Sequence, residues 1–345
     1  MRVIGCLVVW MCVAWVGVAA SCARVVADSS IGYYSVSDDG RYLLNMRALD
    51  RVGRYALELH DTLTGGVRRI PSRGTGTGFI SGDGRTVIYT QFRARAHPFE
   101  QILRAYSVTT GRSRTVDSSG RLNLLGLDPT GRFAAVEKFP THVHRNIGAL
   151  NLKTRRFRRF PLPPSGYHNI GLVALAIGGK QAVTAINSKF GGENVLVRQG
   201  IHRDLEVGLR GTESPGDIST DGSVSMVNLQ DGGIALIAPD LTRLAVLPNA
   251  YSDIPGFAQG SITNDGQIAL QDCGGTLALY SLTTHRYSRI DGIPGGDVRI
   301  SGSGNRAFVV AGTFPSLEID MYDTATATEV GPDPPTDCVP TPPRR

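Results

Sequence analysis

The sequence predicts an all-β protein: a seven-bladed β-propeller of four-stranded antiparallel blades. Three observations carry this. A tight turn recurs seven times at near-constant spacing. An apolar strand follows every copy. A second turn and a more polar strand then complete each unit.

The chain has 345 residues, of which 41% are hydrophobic, 19% charged and 42 glycine. Glycine this frequent without a collagen period implies many turns. Residues 1–27 read differently from the rest. Arg2 precedes an apolar run from Val3 to Ala20, with small residues after it. This is the pattern of a secretory signal peptide. Cleavage fits after Ala27 or after Ala23, and Cys22 in AASC also resembles a lipidation site. No later segment is apolar enough to span a membrane, so the body is expected to be soluble and exported, secreted or held at the cell envelope. Membrane contact is expected only through the leader or a lipid on Cys22.

The repeat begins at once. SDDGR places Gly40 in the first turn, SGDGR Gly84, DPTGR Gly131, STDGS Gly222, TNDGQ Gly266 and SGSGN Gly304. A degenerate copy, AIGGKQAV, supplies Gly179. Successive spacings are 44, 47, 48, 43, 44 and 38 residues, the period of a propeller blade. Glycine suits a hairpin turn that needs positive φ, because it has no Cβ to clash. The Ser or Asp ahead of it can bond its own backbone. The strands that follow, such as RTVIYT and RFAAVE, carry the small and β-branched residues of a sheet buried on both faces. The second turns, HDTLTGG and SVTTGR among them, lead to polar outer strands. The last unit is expected to end on its own outer strand near Val330, with no strand exchanged between the chain's ends. GTGTG at 74–78 reads as a turn between blades. The predicted organisation is therefore a signal peptide (1–27), a propeller (28–331) and a proline-rich tail (332–345) that cannot join a sheet.

SDDGRYLL, SGDGRTVIY, STDGSVSMV and TNDGQIAL, each followed by a strand and a turn like HDTLTGG, resemble the TolB-like, WD-repeat-like propellers of exported bacterial proteins. The resemblance covers residues 30–331. It implies the fold. A TolB role in envelope transport does not follow, since the domain that precedes the TolB propeller has no counterpart here.

Of five cysteines, only Cys273 and Cys338 lie outside the leader region. In an exported chain two such cysteines pair as one disulfide.

Several chemistries are argued against. Trp10 and Trp15, the chain's two tryptophans, both fall in the leader, so the tryptophan docking of quinoprotein propellers is missing. Asp83 and Gly84 are adjacent, unlike the spaced Asp box of sialidases. There is no CxxC, HExxH or phosphate-binding glycine loop. No catalytic residue, metal site or cofactor is assigned.

Binding residues are proposed on one face. In a propeller the loops joining second to third strands lie opposite the repeated turns. In the first four units these loops are long and carry Arg47, Arg51, Arg54, Arg93, Arg95, His97, Lys138, His142, His144, Arg145 and Lys189. Residues 41–160 hold 22 Lys and Arg against 8 Asp and Glu, a net of +14, whereas 161–345 hold 12 against 19, a net of −7. Such a field can steer an anionic protein or polysaccharide, although the same charges fit ordinary solvated loops. RRFRRF at 155–160 falls on an outermost strand, where it blunts an open edge rather than binding nucleic acid. His142 and His144, with His97 nearby, lack the carboxylate shell of a metal centre. The expected function is that of a monomeric, non-enzymatic binding module for an envelope or extracellular partner. The alternative is a hydrolase or lyase acting on a carbohydrate or lactone-like substrate in the channel.

Overall fold

The computed structural model describes residues 22–29, 34–48, 55–92, 100–120, 122–139, 146–160, 167–175, 178, 181–188, 194–200, 205–210, 212–229, 233–240, 242–248, 260–273, 275–294, 296–313 and 316–338. The first described strand is β1 (Cys22–Ser29). β2 (Tyr34–Val36), β3 (Tyr42–Ala48), β4 (Tyr55–Asp61), β5 (Gly66–Ile80), β6 (Thr86–Phe92), β7 (Gln101–Ser107) and β8 (Arg112–Gly120) follow as one antiparallel sheet in chain order. Three four-stranded sheets come next: β9 (Leu122–Leu127) to β12 (Phe157–Arg159) through β10 (Phe133–Lys138) and β11 (Asn146–Asn151); then β13 (Tyr167–Leu175), β14 (Gln181–Ser188), β15 (Asn194–Gly200) and β16 (Leu205–Arg210); then β17 (Thr212–Ile218), β18 (Ser225–Leu229), β19 (Ile234–Ile237) and β20 (Arg243–Leu247). β21 (Gly260–Ile262), β22 (Ile268–Asp272), β23 (Thr276–Ser281) and β24 (Arg286–Asp291) make the fifth sheet, and β25 (Val298–Ile300), β26 (Arg306–Thr313) and β27 (Ser316–Asp323) the core of the sixth. A last strand, β28 (Thr328–Gly331), adds to the outer edge of β24.

The fold is thus an all-β propeller of antiparallel blades, most of them four-stranded. Counted as hydrogen-bonded sheets it has six blades, not the seven expected. The reason is β5, which runs unbroken for 15 residues. Its first half is the outer partner of β4, and its second half is the inner partner of β6. The GTGTG stretch, read as a turn between blades, lies inside this strand. Thr75 pairs with Tyr55 on one side and Gln91 on the other, so the ladder never breaks between the two repeats.

The repeated turn forms as its chemistry dictates. In the second copy the Ser81 hydroxyl donates to Asp83 (2.6 Å), Asp83 accepts from the Arg85 N–H (3.0 Å), and Thr86 N–H donates back to Ser81 Oγ (3.0 Å). The copies at Ser37, Ser219 and Thr263 repeat all three bonds. Asp128 does the work of both residues in its copy, its carboxylate accepting from Thr130, Arg132 and Phe133. Glycine closes each of these turns, with φ between +66° and +81° at Gly40, Gly84, Gly131, Gly222, Gly266 and Gly304. Beyond φ, space forbids a side chain at Gly131, where a Cβ would come within 2.7 Å of Ser81 Cβ. Gly179 of the degenerate copy lies outside the described residues.

The core sits in the seams between sheets and, inside the seven-stranded sheet, between its two repeats. Ile88, Leu103 and Val116 from β6 to β8 pack on Leu122, Ala134, Val136 and Leu150 of the next sheet. Burying each Leu or Ile contributes about 1.5–3 kcal/mol. The largest fully buried side chains include Tyr89, Tyr106, Phe160 and Phe308.

The chain's ends depart from the sequence reading. β1 is the fourth strand of the last sheet, paired antiparallel with β27, and Arg24 reaches Glu318 (2.6 Å) and Asp320 (3.3 Å). Val26 is buried with Leu43, Phe308, Ile319 and Met321. A strand from the N-terminal segment therefore completes the last blade, contrary to the expectation of no exchange. The expected boundary at residue 27 falls inside this strand. Because β1 takes the outer place, the segment near Val330 is displaced onto β24 as β28. The tail then turns back to a disulfide between Cys338 and Cys273, as the cysteine count predicts. Ala327 packs in the seam between the fifth and sixth sheets, and Cys338 in the seam between the fourth and fifth. The tail thus clips around the fifth sheet's outer edge. Among the described residues no helix is long and apolar enough to cross a membrane.

Candidate binding face

Strand direction gives the disc two unlike faces. The repeated turns lie on one. Five links between neighbouring turns run through backbone: Asp38 N–H to Gly82 O (2.7 Å), Gly82 N–H to Pro129 O (2.7 Å), Thr220 N–H to Asn264 O (2.7 Å), Asn264 N–H to Gly302 O (2.9 Å) and Ser303 N–H to Asp38 O (2.8 Å). Gly178 N–H donates to Asp128 Oδ2 (3.1 Å), carrying the linkage on from the third turn. Inside this ring the Asp38 side chain passes the turn of Gly302 to meet the amide of Asn264. A Cβ at Gly82 or Gly302 would collide with the Asp38 carboxylate. Burial pushes the Asp38 carboxyl above its ordinary value; the Asn264 amide opposes this, and Asp39 and Asp83 add to it. Sequence reading missed this group. Its signal was the second residue of each turn, which is Asp, Gly, Pro, Thr, Asn or Gly in the described copies.

The other face carries the longer connections. Six residues separate β3 from β4, eight β6 from β7, seven β10 from β11 and five β14 from β15. In the later sheets the equivalent gaps are four, three and two residues. Nine of the eleven proposed binding residues fall in the four long gaps: Arg51, Arg54, Arg93, Arg95, His97, His142, His144, Arg145 and Lys189, all outside the described residues.

The two described members sit at strand ends that open onto this face, and both are engaged within the chain. Arg47 Nη1 lies 3.9 Å from Glu58 Oε1, which also accepts from Arg69 (3.2 Å). Lys138 Nζ contacts Asp117 Oδ2 at 2.5 Å and stands 5.1 Å from the centre of the Phe157 ring. Burial alone would raise the Asp117 carboxyl, but Lys138 and the Ser119 N–H outweigh it and hold it below the usual range. The ion pair joins strands more than 20 residues apart, which no local pattern reveals. Among the described residues no three His, Cys, Asp or Glu side chains converge as a metal site would need.

No described protein family matches the sequence, and no curated protein matches it. Solved structures do match in shape. An oligogalacturonate lyase in complex with manganese aligns with a TM-score of 0.61 at 12% identity, over 92% of this chain and 94% of that one. The Cps50 (Swd1) β-propeller domain of Myceliophteria thermophila gives 0.59 at 12%, over 88% and 99%. Hydrazine synthase of Kuenenia stuttgartiensis gives 0.56 at 10%, over 85% and 95%. The likeness is one of fold.

Proposed function

We propose that this protein is an exported propeller of seven repeat units, two of them merged in one sheet. In this reading it binds an anionic protein or polysaccharide, without catalysis, through the face that carries the long connections. One observation carries the reading: in four consecutive repeats the connection between second and third strands is longer than in the later repeats, and those connections hold nine cationic or histidine residues. Clustered like charge in adjacent loops gives a focused field that raises the rate of encounter with an opposite charge. On the turn face, by contrast, the turns bond mainly to one another. Export is supported by the disulfide and the apolar leader. Processing that leaves Cys22 onward keeps β1 whole, whereas cleavage after Ala27 would take all but its last two residues.

The test uses the chain from Cys22 to Arg345 against envelope proteins and acidic polysaccharides at low and moderate salt. Salt-sensitive binding that falls roughly tenfold or more in R93A/R95A/R145A, as loss of three charge contacts would produce, supports the reading. Binding unchanged in that variant removes this face as the site. Release of new chain ends from the polysaccharide would favour a hydrolase or lyase.

A further inference from the structure

We infer that a second anion-binding surface runs along the outer rim of the disc, on β8 and the β11–β12 hairpin, and that its ligand is a linear acidic polysaccharide. It is separate from the long-loop face. The cations are dense: Lys153, Arg155, Arg156, Arg158 and Arg159 are all exposed. The hairpin from Asn146 to Phe160 contains no Asp or Glu. Arg112 and Arg114 extend the strip on β8, both exposed. The two clusters are stitched into one surface. Arg114 Nη2 donates to Leu152 O (3.0 Å), and Arg155 Nη2 donates to Thr115 O (3.3 Å). A guanidinium resting on a carbonyl is positioned but keeps its whole charge.

The rim of the fifth sheet shows the contrasting arrangement. There Arg286 meets Glu329 (2.6 Å) and Arg289 meets Asp291 (3.2 Å). Among the described residues, no carboxylate pairs in this way with the cations of the β11–β12 hairpin.

Backbone strain at Arg155 points the same way. The residue has φ +59°, and its N–H closes the turn on Asn151 O (2.8 Å). Gly65 and Gly111 fill the same place in the two preceding repeats, with φ +70° and +67° and the same closing bond. A side chain there costs roughly 1–2 kcal/mol, so the third repeat carries an arginine where glycine would relax the turn. His285 takes the same place in the fifth sheet, with φ +54° and the same closing bond, but its ring is held by Tyr280 (3.0 Å), whereas the Arg155 guanidinium reaches across to β8.

The surface fits a polysaccharide better than nucleic acid. Binding of single strands needs open aromatic platforms, and the ring in this strip, Phe157, is half-buried with Lys138 over it. β12 (Phe157–Arg159) is a sheet edge with one neighbour, β11, so its cations stand open along the rim.

The experiment uses the chain from Cys22 with R93A/R95A/R145A already in place, so that failure of the long-loop face cannot be mistaken for failure of the rim. Alginate is the probe, neutral dextran the control, at low and moderate salt. The expected result is alginate binding that weakens about twofold to fivefold on adding R155G, the scale of one exposed charge contact, while the melting temperature holds or rises. Adding R156A/R158A should abolish it, with circular dichroism unchanged. Alginate affinity unaffected by these changes overturns the proposal. So does tighter binding of single-stranded DNA or of anionic lipid vesicles than of alginate through the same residues.

Discussion

The two ends of the chain secure the propeller by different means. β1 enters the last sheet as a hydrogen-bonded strand, with Val26 in the seam core and Arg24 on two carboxylates. β28 and the tail wrap the fifth sheet from outside and are pinned by one covalent bond. The first is part of the ring; the second is a clasp laid over it. Closure by β1 depends on cooperative burial, whereas the clasp depends on a cross-link that limits the unfolded chain. The difference predicts how each fails.

Deleting residues 22–29 should have the largest effect. It strips the outer edge of β27 and exposes Phe308, Ile319 and Met321. The expected loss is about 5 kcal/mol or more, comparable to the whole stability of a domain, read as a lower and broader melting transition and rapid proteolysis. A deletion variant that melts like the parent would mean that β1 does not close the ring. C273S/C338S should cost less. The bond spans 65 residues, for which chain entropy predicts about 4 kcal/mol as an upper figure. Denaturant unfolding should show a lower midpoint with native circular dichroism retained. An unchanged midpoint would make the clasp ornamental.

The smallest effect separates the two ends by pH. His60 is buried beneath β1, hydrogen-bonded to the backbone of Val25 and 4.0 Å from Glu58. Burial holds its pKa below the ordinary 6.5; Glu58 and the Val25 bond oppose this more weakly. The unfolded chain then binds the proton more readily than the folded one. The stability tied to neutral His60 is complete above pH 6.5 and drains away as the pH drops from there towards the depressed folded value. H60Q should flatten this slope, measured as melting temperature against pH. The slope should persist in C273S/C338S, because the clasp lies elsewhere.

What the sequence disclosed followed from how local the physics was. Each repeated turn is held by bonds spanning no more than five residues, so SGDGR announces its geometry. The disulfide was legible because only Cys273 and Cys338 lie beyond residues 1–27. The merging of two repeats was not, because PSRGTGTG looks like a turn and becomes strand only when Tyr55 and Gln91 flank it. The role of CARVVADS was hidden for a similar reason: next to an apolar leader it reads as a cleavage region, and its partner lies almost 300 residues away. The pairing of Lys138 with Asp117 was equally out of reach, as was the entry of Asp38 into the ring of turns. The nine residues of the long connections lie outside the described structure and remain a proposal.

The bonded ring of turns has a consequence for how such a chain can change over generations. In each linked turn the second or third residue must present its N–H or C=O at the right height to its neighbour. Adding one residue there would misplace two links at once, on either side. The connections at the opposite ends of the strands are less uniform: those joining second to third strands already range from two residues to eight. Change in length is therefore channelled: an added residue is resisted on one side of the disc and accommodated on the other.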